Sequence, residues 1–237
     1  MSGDAQLDEI RWGLGDAALG FVLAYVLTVV FAPLMYKLTG QSLDTPSDQL
    51  PLSTLALQQV PFYGGMLVVP LAAARYKGRG PLVDFGLRMR WFDAPIGFLT
   101  GIVTQYAALL LYIPVLWWTS VSTDDISKPA RQLSDKAHGT GGVVLLVLVV
   151  AIAAPIVEEI FFRGLLLRSL QRRMSAKWAI VASSALFAAA HFEPLQFPAL
   201  FVFGLVAATL ATRTGRLGPG MWAHFAFNLV AVVSLLQ

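Results

Sequence analysis

GGVVLLVLVVAIAAPIVEEIFFRGLLLRSL, residues 141–170, decides the fold. No charge interrupts it between Gly141 and Glu158. About 20 apolar residues rising 1.5 Å each cross the hydrocarbon core of a bilayer, so this stretch reads as a membrane-spanning helix. Working outward, further apolar runs lie at 17–36, 54–74, 94–118, 178–191, 196–211 and 219–236. The expected fold is all-α, a polytopic transmembrane bundle of about seven spanning helices, six to eight at the limits. The runs at 178–191 and 196–211 are short for spans, and predict a thin hairpin around Glu193-Pro194 or a partly re-entrant pair. Connectors at 39–53 and 120–140 are rich in Ser, Thr, Asp and Pro and read as loops.

Composition supports the membrane reading. Of 237 residues, 57% are hydrophobic and 13% charged, about half the charge of an ordinary soluble domain. Mean hydropathy is +0.67. Absence of cysteine excludes disulfides, thiolate chemistry and thiol-based metal sites. Residues 1–15 are polar, so no cleavable signal peptide is expected and the first run reads as a retained helix. On seven helices, the side bearing the N-terminus collects 13 of the 17 basic residues. Lys37, Lys128, Arg131 and Lys136 fall on the other side. Basic loops stay inside, so the expected placement is a multi-pass cell-membrane protein with N-terminus cytoplasmic and C-terminus outside.

Glu158 and Glu159 interrupt residues 152–163, a setting where each acidic residue costs about 2.5–3.5 kcal/mol. In a soluble helix, Glu-Glu-x-x-x-Arg would ordinarily be a solvated face. Inside a span, the competing reading is a structural ion-pair cluster. Consecutive residues point about 100° apart, so the two carboxylates cannot share a face. Glu159 and Arg163 stand four apart in the favoured order and can pair. Glu158 is then expected to face the bundle interior without a local cation. Pro155 should kink the helix and free carbonyls near the site. His191 ends an apolar run with Phe187 one turn before it, and His224 and Asn228 share a face of the last run. Either histidine alone, or Asn228 alone, would serve equally well as interhelical glue. His138, in a connector, is given no role.

A carboxylate and an imidazole flanking one water can direct it at a carbonyl, while an imidazole and an amide can hold the resulting oxyanion. No G-x-S-x-G or H-E-x-x-H sequence is present, which disfavours the usual serine and zinc protease arrangements. A Glu/His/His zinc site stays open by ligand type.

The order Glu158-Glu159-x-x-x-Arg163, Phe187-x-x-x-His191, His224-x-x-x-Asn228 resembles the three signature motifs of the CAAX protease and bacteriocin-processing family. These are membrane-embedded endopeptidases that include the type II CAAX prenyl endopeptidases. Phe85-Gly-Leu-Arg88 is similar to a weaker element often seen there. The resemblance implies that Glu158 and His191 activate water and that His224 and Asn228 form the oxyanion hole. Glu159, Arg163 and Phe187 would support the site. The family has been described both as metalloproteases and as glutamate proteases. The expectation here is no cofactor, with zinc as the alternative. The whole chain, 1–237, is expected to be one membrane-embedded protease domain with a motif-bearing core at 141–237. Its partners would be the bilayer and a membrane-associated peptide or protein substrate, with no nucleic acid; sequence leaves the oligomeric state open. Two other classes compete. A proton-coupled transporter would use Glu158 as a relay but would more often carry an internal repeat. A non-hydrolytic immunity or scaffold protein would retain the motifs for folding.

Overall fold

The computed structural model describes residues 10–236. It is helical throughout, with no strand among the described residues. Six helices are long and apolar enough to cross a membrane. These are α1 (Leu14–Leu38), α2 (Leu52–Lys77), α4 (Asp93–Trp118), α6 (Gly139–Gln171), α8 (Phe197–Thr214) and α9 (Gly218–Leu235). α7 (Ala176–Ala189) is apolar but only 14 residues long. Counting it gives the expected seven. The order is completed by a short α3 (Pro81–Asp84) and by α5 (Thr123–Ser134).

α5 corrects one expectation, since residues 120–140 read as loop. Ser122 accepts from the Asp125 N–H at 3.1 Å and Asp125 accepts back from the Ser122 N–H at 2.8 Å, a capping box that starts the helix. Ile126, Ala130 and Leu133 then fall on one face, and Leu133 packs with Leu146, Leu52 and Val232. Polar composition masked a short amphipathic helix.

Outward faces match lipid. Val22, Val26, Val29 and Val30 of α1 and Leu99, Val103 and Leu110 of α4 are exposed, an arrangement that would aggregate in water but is the ordinary surface of a spanning helix. Trp91 lies just before α4 and Trp117 and Trp118 end it, all largely exposed. At 1.5 Å per residue these ends are about 39 Å apart, which puts an aromatic anchor at each interface.

Between helices, small residues set the distance, because lipid supplies no hydrophobic drive for association and close packing must do so. Gly97 and Gly101 of α4 face the backbone of α9, and a methyl group at Gly101 would overlap the Ala223 carbonyl oxygen. Gly65 of α2 lies against the Ala24 backbone of α1, and Gly204 of α8 against Ser184 of α7.

Loops at one end are tied to the bundle. Phe85 is fully buried against Gly164 of α6. Gly86 has φ +64°, and its carbonyl accepts from the Leu217 N–H at 2.9 Å. Arg168 donates to the carbonyls of Phe85 and Gly215, at 3.0 and 3.2 Å. The Phe85–Arg88 element is thus a clamp joining the α3–α4 loop to α6 and to the α8–α9 turn. At the same end Arg172 donates to the carbonyls of Ile10 and Trp12 and lies over the Trp12 ring.

Gly101→Val should separate α4 from α9 and destabilise the bundle by about 1–3 kcal/mol, the usual cost of overpacking. Thermal unfolding in detergent would read this, and an unchanged melting temperature would contradict the close α4–α9 contact.

Candidate active site

Four helices bring the motif residues together. α6 carries Glu158, Glu159 and Arg163, α7 carries Phe187 with His191 just beyond its end, and α9 carries His224 and Asn228. α8 contributes Phe203, which sequence reasoning missed. It lies 4.5 Å from the His224 ring, centroid to centroid. As one of 15 phenylalanines, most of them in apolar runs, it carried no distinguishing signal.

α6 is not a uniform α-helix. It widens to i→i+5 bonding over Val147–Ala153 and again over Glu159–Leu166, leaving a normal stretch at Ala154–Glu158. Widened turns of this kind are frequent at functional sites. The first has a cause in the sequence: Pro155 lacks an N–H, and its ring would press on the carbonyl four residues earlier. The expected freeing of carbonyls near the site therefore takes the form of a wider turn.

Glu159 is fully buried. Its Oε1 lies 3.0 Å from an Arg163 guanidinium nitrogen and 3.1 Å from His224 Nδ1. The approach to Arg163 is off the N–H direction, so charge holds the pair; neither terminal guanidinium nitrogen has an aligned acceptor. Arg163 finds its other support in aromatic faces, with its guanidinium carbon 4.3 Å from the Phe187 ring centroid and 5.7 Å from that of Phe203.

Glu158 differs in exposure. Its side chain keeps 15% of its surface exposed, although Oε2 itself is buried and, like Oε2 of Glu159, has no hydrogen-bond partner. The expected absence of a nearby cation needs amending, because His224 Nε2 lies 3.7 Å away. Two consecutive carboxylates thus reach opposite edges of one imidazole. Tyr63 of α2 packs against the same core, another neighbour that sequence gave no reason to single out.

Phe187 is the hub. Its ring is edge-on to His191 at 4.8 Å and to His224 at 5.8 Å. The Phe187 carbonyl lies 2.8 Å from His191 Nδ1. A carbonyl only accepts, so Nδ1 carries the hydrogen and Nε2 is left with its lone pair. His191 joins the cluster through Phe187, whereas Asn228 meets α6 two turns earlier, at Val150, whose carbonyl accepts from Asn228 Nδ2 at 2.8 Å. Among the described residues, no group of three His, Asp or Glu side chains is placed to hold one metal ion.

This geometry agrees with what the chain is similar to. Residues 140–230 match the family model described as Type II CAAX prenyl endopeptidase Rce1-like. Over 226 residues the chain is 25% identical to the protein of Bacillus subtilis (strain 168) described as "Putative membrane peptidase YdiL", covering 92% of this chain and 87% of that one. No solved structure matches. Over its motif-bearing part the chain is thus similar to a family of membrane-embedded endopeptidases, and over most of its length to a bacterial protein described as a membrane peptidase.

Arg163→Ala should lower stability by about 3–5 kcal/mol, the cost of leaving a buried partner charge uncompensated. Replacing Glu159 as well, in Arg163→Met/Glu159→Leu, should recover part of that loss. Unfolding temperatures of the two variants in one detergent would decide it; equal destabilisation would argue that the pair is not what holds this region.

Proposed function

We propose that the chain is an intramembrane endopeptidase that hydrolyses peptide bonds of membrane-associated proteins or peptides, using water activated by Glu158 and His191. The observation that carries this reading is the Glu158 carboxyl group within a span, its side chain still 15% exposed and one of its oxygens 3.7 Å from the His224 imidazole. An acidic side chain kept there costs stability, and a role in chemistry accounts for it.

Glu158 takes the proton of water, and His191 Nε2, whose tautomer leaves it an acceptor, orients the same water from α7. Attack on a peptide carbonyl puts negative charge on its oxygen. His224 Nε2–H and the Asn228 amide donate to that oxyanion. For His224 to donate from Nε2 while Nδ1–H faces Glu159, the ring must carry both protons. The proton on Glu158 then passes to the leaving amine.

Metal is dispensable in this scheme. A zinc site built from Glu158, His191 and His224 would leave Glu159 as base, but Glu159 has no exposed surface and is engaged by Arg163 and His224. The family model's name points to prenylated C-terminal peptides as one substrate class, so a cleavage panel should include prenylated and unprenylated membrane-tethered peptides.

Glu158→Gln should abolish cleavage by the purified protein while leaving its unfolding temperature nearly unchanged, because the amide is isosteric but accepts no proton. Turnover close to that of the unaltered protein would remove Glu158 from the mechanism. Activity should also survive thorough chelation. Stoichiometric zinc, with activity lost on its removal and restored on its return, would overturn the scheme and make Glu158, His191 and His224 ligands.

A further inference from the structure

Pro155 lies buried in α6, three residues before Glu158. In a regular α-helix its ring would crowd the carbonyl of Ala151, and it has no N–H to give. The helix widens in response. The Ala154 N–H donates to the Val149 carbonyl, five residues back, rather than to Val150. In this wider register the Val150 carbonyl would be served by residue 155, which as proline has nothing to donate. Val150 is therefore left over by its own helix, and a buried carbonyl in lipid must find a donor. It finds Asn228 on α9, whose Nδ2 donates to it at 2.8 Å.

An amide nitrogen carries two hydrogens. With one held on the Val150 carbonyl, the plane of the Asn228 amide is fixed, and so is the direction of the second. We infer that Pro155 is a positioning residue for Asn228: by withholding an N–H from Val150 it keeps that carbonyl open as the anchor that aims the second Asn228 N–H at the reacting oxygen. The catalytic half of this inference rests on the oxyanion role proposed for Asn228; the anchoring half does not.

Pro155→Ala tests both halves. It supplies an N–H at 155, which reaches Val150 in the wide register. If the segment relaxes to a regular α-helix, Ala154 reaches Val150 instead. Either way an N–H of the helix itself reaches the carbonyl and competes with Asn228 for it, which loosens or redirects the side-chain bond. Asn228 is the only asparagine in the chain, so protein labelled with 15N-asparagine gives one side-chain amide resonance pair in detergent micelles. Pro155→Ala should shift that pair and bring its two proton frequencies together. Alongside, kcat should fall about a hundredfold, as on loss of one oxyanion donor, with KM unchanged. In an Asn228→Ala background, Pro155→Ala should cost nothing further. An unmoved resonance pair would overturn the anchoring, whatever the activity. A shifted pair with unchanged kcat, or additive losses in the double variant, would overturn the positioning role. If the unaltered protein cleaves nothing, the proteolytic reading fails and takes the positioning role with it, while the resonance pair still decides the anchor. Should the alanine variant not fold, Pro155→Val supplies the same N–H.

Discussion

A carboxylate with no exposed surface, in a helix that crosses lipid, persists only where its surroundings neutralise it. Glu159 is that group, and much of the bundle is arranged around it. Arg163 from the same helix and His224 from α9 meet on one of its oxygens. Phe187 from α7 and Phe203 from α8 close over the guanidinium that neutralises it. Its second oxygen sits where a side chain at Gly220 would begin. Four helices are thereby fixed relative to one buried charge. Losing any one of these neighbours leaves polar atoms stranded where water cannot reach.

That constraint separates two adjacent and chemically identical residues. Glu159 is fully buried, with Oε1 shared by Arg163 and His224. Glu158, one residue earlier, keeps 15% of its side chain exposed. His224 mediates between them, held at Nδ1 by the fixed carboxylate and facing the open one with Nε2. Placement of a possible oxyanion donor is thus a consequence of the same contact that stabilises the fold.

Much of this was legible in the sequence, for reasons that can be named. Spanning helices announce themselves because lipid tolerates almost nothing but apolar side chains on a helix. The Glu159–Arg163 pair followed from spacing alone, since an i,i+4 relation survives in the structure. α5 was hidden because its apolar face is only a few residues among Ser, Asp and Lys. Phe203 was hidden because aromatic residues in apolar runs look alike until packing brings one of them to a polar group. The sequence put the two carboxylates on different faces of the helix but gave no sign that His224 would come near both.

α6 is wound more widely from Glu159 onward. Glu158 and Glu159 themselves keep regular α-helical dihedrals, φ −69° and ψ −39° at the first and φ −65° and ψ −39° at the second, so their side chains leave the helix about 100° apart. His224 still comes near both, because its two ring nitrogens face different carboxylates. The earlier widening has Pro155 as its cause, but nothing in residues 159–166 compels the second in the same way. What the second achieves is visible in its contacts: Glu159 still meets Arg163 across the wider turn, while Glu158, at the end of the regular stretch, keeps His224 within 3.7 Å. Of two consecutive carboxylates, one is thus held by the ion pair inside its own helix, while the other keeps part of its side chain exposed.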